Sequence, residues 1–134
     1  MSVIARHRVH FYETDQMGVV HHANYFRWFE LGRVEFLRSL GVTLGALIDD
    51  GILFPITEID AKFHAPAHYD DLIEIETTAV ELTKVKLVFD YVIRVEGSEK
   101  ILVTGHSLNV FTDMSTGKII RLPDKFYQKF LQAQ

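Results

Sequence analysis

The chain has 134 residues, of which 48% are hydrophobic, and this supplies enough apolar material for a single domain spanning residues 1–134. Its formal net charge is −4 without any run of Lys or Arg, so nothing in the sequence indicates a phosphate-neutralising surface for nucleic acid, although a local basic patch stays open. The lack of cysteine excludes disulfides and thiolate chemistry and suits a reducing compartment. No apolar run approaches the roughly 20 residues of a membrane span, so we expect a cytoplasmic protein with no transmembrane segment.

The first elements in chain order are a strand, a loop and a long helix. Residues Arg8 to Tyr12 have β-type composition and are predicted as a strand. A Gly-containing loop with Asp15 follows it. Asn24 is a good N-cap, and apolar residues at helical spacing predict a helix from Tyr25 that stops at Gly41.

The rest of the chain predicts antiparallel strands framed by short helices. They are a helix over Thr43 to Asp50, strands over Leu53 to Phe63, Leu72 to Leu82, Val85 to Val95 and Ile101 to Thr112, and a terminal helix from Pro123. A slip in apolar phase around Gly105 predicts a bulge. Gly32 in the long helix would cost about 1 kcal/mol relative to Ala, which is tolerable if a strand or symmetry mate approaches there. The element order indicates an α+β fold whose sheet wraps the aromatic-rich helix.

The loop and the helix start suggest acyl-transfer chemistry. Asp15 lies upstream of a helix N-terminus, whose unpaired N–H groups can stabilise an oxyanion. A carboxylate that attacks a carbonyl or activates water beside such amides is a minimal acyl-transfer site. An Asp in a turn more often only hydrogen-bonds its own backbone, and spacing alone favours that structural interpretation.

Seven histidines raise the question of a metal site, but their spacing does not support one. Pro66 lies between His64 and His68 and prevents the helix that would place both on one face. His7 and His10 differ in strand parity and are predicted on opposite faces. We therefore expect no metal ion.

Other motifs add little. The stretch around Ser107 (GHSLN) lacks the second Gly of a nucleophile elbow. No nucleotide-binding Gly-rich loop occurs, so nothing supports redox or phosphoryl transfer. The remaining carboxylates are more typical of surface or ion-pair residues than of catalytic groups, and Glu35 is the strongest catalytic candidate among them.

Three stretches carry a resemblance to a known family: Tyr12 to Leu37, which includes YETDQMGVVHHANYF, Phe63 to Thr77, and the strand Lys84 to Phe89. They resemble the hotdog-fold acyl-CoA thioesterases, specifically the group of 4-hydroxybenzoyl-CoA and Tol-Pal-associated thioesterases. The resemblance implies a five-stranded antiparallel sheet around the long helix and two subunits that join their sheets edge to edge. It implies an active site in that interface of a homodimer or homotetramer, no metal or redox cofactor, and coenzyme A as part of the substrate.

The same resemblance assigns the reacting groups. Asp15 matches the catalytic carboxylate, acting as nucleophile or general base, and the backbone N–H of His22 matches the amide that polarises the thioester carbonyl. Asn24 and Tyr25 match the helix-opening pair beside the pocket. The His21-His22 pair departs from the family pattern, so a side-chain role for either histidine stays open.

Binding residues are expected around this centre. Lys84 falls where relatives place basic residues near the CoA phosphates, and Lys86 is the second choice because both share parity on one predicted strand. Trp28, Phe29 and Phe54 are expected to contribute to the acyl pocket, with residues from both subunits.

Two other functions stay open at this level. A hotdog enoyl-CoA hydratase would use a D-x-N-P-x-H motif, whereas Asp15 to His21 is one residue longer and lacks Asn-Pro. A non-catalytic acyl-CoA or acyl-carrier binding module, or a scaffold at the envelope, would bind without turnover.

Overall fold

The computed structural model describes residues 2–132 and shows a long helix packed on a five-stranded antiparallel sheet. The helices are α1 (Ala23–Ser39), α2 (Leu44–Asp49) and α3 (Asp124–Gln132). The strands are β1 (Ser2–Arg8), β2 (Ile52–Leu53), β3 (Ile56–Phe63), β4 (Leu72–Leu82), β5 (Lys86–Val95), β6 (Ile101–Val110) and β7 (Thr112–Asp113). The sheet has the order β1-β4-β5-β6-β3, and β2 pairs with β7 separately. The predicted α+β class and five-stranded antiparallel sheet are confirmed.

The core lies between α1 and the sheet. Side chains along β5 and from Leu72 to Thr78 of β4 alternate between buried and half-buried positions, as the period of a strand requires. The ring of Phe29 on α1 stacks on Tyr91 of β5 with 4.2 Å between centroids. α1 is therefore held by aromatic packing along the inner face of the sheet.

Two glycines permit this close packing. A Cβ at Gly32 would overlap the Thr77 hydroxyl on β4, so the predicted approach of a strand to this glycine is confirmed. A Cβ at Gly105 would lie 2.6 Å from the ring of Phe29. The prediction of a bulge at Gly105 is wrong, because the extra residue of β6 is Leu102, at the register shift opposite the end of β5.

Several predicted boundaries shift for local reasons. The first strand ends at Arg8 and does not run to Tyr12, because Phe11–Glu13 forms a 3-10 turn. α1 starts at Ala23, and Asn24 is not its N-cap, since that side chain lies inside the first turn and is buried. Pro55 interrupts the predicted strand from Leu53 to Phe63.

Within residues 2–132, every helix is too short or too polar to cross a bilayer.

Candidate functional site

Asp15 lies in a tight loop between the 3-10 turn and α1. Its Oδ1 accepts hydrogen bonds from the backbone N–H groups of Met17, at 2.8 Å, and Val19, at 3.4 Å. Gly18 adopts φ +79° and donates to the Asp15 carbonyl. Oδ2 accepts no hydrogen bond within residues 2–132, so the carboxylate orders its loop through one oxygen and leaves the other available for chemistry.

A cavity of about 360 Å³ opens beside Asp15, and we refer to it as the Asp15 cavity. It lies between the Asp15 loop, the start of α1 and the segment that follows β3. Its lining residues are Asp15, Val20, His21, His22, Tyr25, Phe63, His64, Ala65 and Pro66. The structure therefore brings together the predicted carboxylate and the predicted amide donor, which are seven residues apart in sequence.

The backbone N–H groups at the start of α1 differ in whether they already donate a hydrogen bond within the chain. Ala23 N–H donates to the ring of His21, and Asn24 N–H donates to the His21 carbonyl. Tyr25 N–H donates to the His22 carbonyl. Among the described residues, the N–H of His22 has no hydrogen-bond acceptor, so it is the amide at this helix start that is open to a ligand.

The buried carboxylate of Glu13 anchors the chain just before the Asp15 loop. This role was not predicted from the sequence. The carboxylate of Glu13 is 5% exposed and accepts hydrogen bonds from His10 N–H at 2.7 Å, His7 Nε2 at 2.9 Å and Trp28 Nε1 at 2.8 Å. Burial alone raises the pKa of Glu13, but these three donors outweigh it and hold the pKa below its ordinary value. The sequence carries one signal for this role: Glu13 is an acid three residues after His10, and at this spacing a carboxylate can cap a backbone N–H.

The backbone of Glu13 also positions the start of α1. Its carbonyl accepts hydrogen bonds from the side-chain Nδ2 of Asn24, at 2.8 Å, and from the N–H of His21, at 2.9 Å. Because Asp15 follows two residues later, one buried residue fixes both the Asp15 loop and the helix start relative to β1.

Three potential metal ligands meet at Glu13. The ligand atoms of His7, His10 and Glu13 lie within 4.8 Å of one another. The prediction that the two histidines point to opposite faces is wrong, because β1 ends at Arg8 and His10 is the N-cap of the 3-10 turn that follows, which places its ring 5.1 Å from the ring of His7. The Glu13 oxygens already accept three hydrogen bonds, so we keep the prediction that no metal binds.

The other residues predicted at the helix start have mainly structural contacts. Asn24 is buried and uses its amide nitrogen on Glu13 and its amide oxygen on Arg27. Tyr25 lines the Asp15 cavity with its ring, while its hydroxyl accepts from Ala67 N–H and burial raises the pKa of that hydroxyl. Trp28 is 1% exposed and lies behind the cavity wall.

The predicted CoA-binding lysines lie at the opposite end of the sheet. Lys84 is in the turn between β4 and β5, so the prediction that it shares a strand face with Lys86 is wrong. Its Nζ pairs with Asp124 at 2.7 Å and lies 5.3 Å from the ring centre of Tyr127. Lys86 pairs with Glu81 at 3.4 Å.

Phe54 lies at that far end too, stacked on Phe111 with 5.1 Å between ring centroids. Asp15, by contrast, lies near the ends of β1 and β3, since the Asp15 cavity is lined by Phe63 and the residues after it. β4 alone spans 11 residues between the two ends, which is about 35 Å of extended chain. Within one chain, Lys84, Lys86 and Phe54 are therefore remote from Asp15.

His64 is a further cavity residue that the sequence analysis considered only as a metal ligand. It follows β3 directly, and its Nε2 lies 3.1 Å from the Thr104 hydroxyl. The rings of His21 and His22 stack at 4.4 Å between centroids on the opposite wall. Three imidazoles thus surround the opening next to Asp15.

Known proteins share this architecture. A family model described as the thioesterase-like superfamily matches residues 9–130. The acyl-CoA thioester hydrolase YbgC of Escherichia coli is 32% identical over 125 residues, which is 93% of this chain and 92% of that protein. The DHNA-CoA thioesterase of Staphylococcus aureus has a TM-score of 0.93 at 25% identity, covering 99% of this chain and 91% of that one. A 4-hydroxybenzoyl-CoA thioesterase mutant complexed with 4-hydroxybenzoyl-CoA, at 23% identity, has a TM-score of 0.82 over 96% and 97% of the two chains and supports the fold.

Proposed function

The chain belongs to the thioesterase-like superfamily and is an acyl-CoA thioesterase with the hotdog fold, and we propose that Asp15 and the N–H of His22 form its catalytic centre. The observation that carries this proposal is their shared position in the Asp15 cavity. One contributes a carboxylate oxygen without a hydrogen bond, and the other contributes an N–H without an acceptor within the described chain.

The helix start stabilises charge on the thioester oxygen. The carbonyl oxygen accepts the hydrogen bond of His22 N–H, and the positive end of the α1 dipole lies directly behind it. As a nucleophile attacks, the oxygen becomes negative and this hydrogen bond strengthens. Because the amide is fixed by the helix, the stabilisation requires no reorganisation during the reaction.

Asp15 supplies the attack in one of two ways. As a nucleophile, its free Oδ2 bonds to the thioester carbon and CoA leaves as the thiolate, giving a mixed anhydride that water then hydrolyses. As a general base, Oδ2 takes a proton from water while the water oxygen bonds to the same carbon, and the proton passes to the leaving sulfur. Both routes give the free acid and the CoA thiol, and neither needs a metal or redox cofactor.

Asp15→Asn tests the proposal, since the amide keeps the shape of the side chain but is neither nucleophile nor base. We expect kcat for acyl-CoA to fall by at least about a hundredfold, the scale of a lost acid-base group, with CoA binding retained. Asp49→Asn, the same change at an exposed position at the end of α2, is the control and should match the unmodified protein. Near-normal turnover by folded Asp15→Asn protein would refute the proposal and make Glu35 the next residue to test.

We also propose that the active unit contains at least two copies of this chain. β3 is an edge strand of the sheet, and Ile56 and Phe63 at its two ends are 39% and 49% exposed. An exposed strand edge with apolar ends favours pairing with another edge. Because Phe63 also lines the Asp15 cavity, a second β3 would supply the missing wall.

Light scattering on the active enzyme tests this arrangement, with a homodimer as the minimum and a homotetramer also compatible with it. A fully active monomer would refute it. In this arrangement the end of the partner's sheet that carries Lys84 would lie near the Asp15 cavity. Lys84 therefore stays the first candidate for a residue that binds the CoA phosphates. A cytoplasmic location stays a prediction from the sequence.

A further inference from the structure

The loop that carries Asp15 is closed by a pair of backbone hydrogen bonds, which we call the loop base. The N–H of His21 donates to the carbonyl of Glu13 at 2.9 Å, and the N–H of Asp15 donates to the carbonyl of Val19 at 2.8 Å. His22 follows His21 directly, so the two groups of the proposed catalytic centre lie on opposite strands of the loop base. The position of Glu13 therefore sets the separation between the Asp15 carboxylate and the His22 N–H.

Two side chains of α1 hold Glu13 at points one helical turn apart. Asn24 Nδ2 donates to the Glu13 carbonyl at 2.8 Å, and Trp28 Nε1 donates to Glu13 Oε2, also at 2.8 Å. Four residues correspond to about 6 Å of helix rise. A single contact would let the helix pivot about it, whereas two contacts at this spacing also fix the direction of the helix axis. The carbonyl and the carboxylate of one residue thus orient the N-terminus of α1 relative to the loop base.

The other carboxylate oxygen of Glu13 connects this arrangement to the sheet. Oε1 accepts hydrogen bonds from His10 N–H at 2.7 Å and from His7 Nε2, on β1, at 2.9 Å. Glu13 and Trp28 are 5% and 1% exposed, so bulk water does not replace a hydrogen bond that is lost here. The loop, the helix and the sheet therefore meet at one buried carboxylate.

We propose that Glu13 is a positioning residue of the thioesterase reaction, which holds the Asp15 carboxylate and the His22 N–H in the geometry that the transition state requires. This inference rests on the proposed function, because it takes Asp15 and His22 as the reacting pair. Glu13 is not among the residues that line the Asp15 cavity, so it acts through this pair and not on the substrate.

A positioning role has a kinetic signature. Asp15 must lie on the line of attack while the His22 N–H meets the developing negative charge, and both requirements apply in the transition state. A displacement of about 1 Å can cost on the order of a hundredfold in rate. Binding of the CoA part of the substrate does not depend on this geometry. Loosening Glu13 should therefore lower kcat and leave KM nearly unchanged.

Glu13→Gln is the primary variant, because the amide keeps the shape of the side chain and cannot satisfy both Trp28 and the donors on Oε1. With a CoA thioester that the unmodified enzyme hydrolyses, we expect kcat to fall at least about tenfold while KM changes by less than about threefold. Calorimetric titration with coenzyme A should give the same dissociation constant for both proteins. A kcat within about twofold of the unmodified enzyme, or a loss carried by KM and coenzyme A binding, would overturn the proposal.

Glu13→Gln also lowers stability, so a control must separate the two effects. Phe130 is 0% exposed on α3 and lies 6.3 Å from Phe111 between ring centroids, at the end of the sheet remote from Asp15. Phe130→Leu and Phe130→Ala remove increasing buried volume and give a graded loss of stability. Both should retain kcat within about twofold at a temperature where circular dichroism shows all variants folded. If the Phe130 variant that matches the urea midpoint of Glu13→Gln loses as much kcat, reduced stability explains the effect and the proposal is overturned.

Trp28→Phe tests whether α1 is held through the carboxylate. The change removes the indole N–H and keeps an aromatic ring in the core, and we expect kcat to fall at least about threefold. In the double variant with Glu13→Gln the same hydrogen bond is already missing, so kcat should lie within about twofold of the lower single variant. Losses that multiply, or an unchanged kcat in Trp28→Phe, would overturn the proposal.

The proposed function fails under a different result. High turnover by folded Asp15→Asn protein would remove Asp15 from the reaction and refute the catalytic centre. An inactive Asp15→Asn protein together with a normal kcat in Glu13→Gln would leave the catalytic centre in place and overturn only the positioning role.

Discussion

Replacing the buried Glu13 with Gln should destabilise the protein although the two side chains have the same shape. The carboxylate has two acceptor oxygens, and His10 N–H and His7 share one of them while Trp28 Nε1–H uses the other. A Gln amide has one acceptor oxygen and one NH2 donor. Whichever way it is placed, at least one buried donor in this group then faces another donor.

The expected cost follows from the number of hydrogen bonds lost. If the Gln oxygen keeps the hydrogen bonds from His10 and His7, the hydrogen bond from Trp28 is lost. The indole N–H of Trp28, a residue that is 1% exposed, is then left unpaired. A hydrogen bond to a charged group contributes about 1.5–3 kcal/mol, and an unsatisfied buried group costs about 1–3 kcal/mol. Because these two contributions overlap, we expect Glu13→Gln to lower the free energy of unfolding by about 2–4 kcal/mol.

Urea unfolding at pH 7 measures this cost, and a double-mutant cycle identifies its source. In a Trp28→Phe background the unpaired indole N–H no longer exists, so Glu13→Gln should cost at least about 1 kcal/mol less than in the unmodified protein. Equal costs in both backgrounds, or a cost below about 0.5 kcal/mol in the unmodified protein, would refute the reasoning.

The pH dependence provides an independent measurement on the same pair of proteins. The pKa of Glu13 is lowered on folding, so the unfolded chain binds the proton more readily. Its contribution to stability is complete above the unfolded pKa of about 4.3 and is lost as the pH falls through the lower folded value. The difference in stability between the unmodified protein and Glu13→Gln should therefore shrink below about pH 4, and a constant difference would contradict this assignment.

Further predictions concern packing and CoA binding. Gly32→Ala should lower the melting temperature strongly because its Cβ would overlap the Thr77 hydroxyl, whereas Gly45→Ala in α2, where a Cβ meets only one atom at 3.8 Å, should raise stability by up to about 1 kcal/mol. Equal effects in thermal unfolding would contradict this. Lys84→Ala should raise KM for acyl-CoA and flatten its salt dependence, with hydrolysis of a truncated acyl-pantetheine thioester nearly unchanged. Equal losses on both substrates would show that Lys84 acts through its contacts with α3, and Lys86→Ala is the comparison variant.

The elements of the fold with local signals were predictable from the sequence. α2 has Thr43 as its cap, α1 ends before Gly41 at φ +77°, and β4 runs over the predicted residues because each depends on nearby side chains. The Asp15 loop was predictable for the same reason, whereas the N–H of His22 was identified only through the resemblance, because the local signal placed the cap of α1 at Asn24.

Only the tertiary structure showed the roles of residues whose partners are distant in sequence. The carboxylate of Glu13 becomes an anchor only when β1 and α1 bring His7 and Trp28 to it. Arg33 resembles any charged residue of an amphipathic helix until the sheet buries it beside Tyr91. Local patterns predict which element a residue joins, but burial and hydrogen-bond partners depend on which distant segments pack against it, so the sequence alone did not reveal these roles.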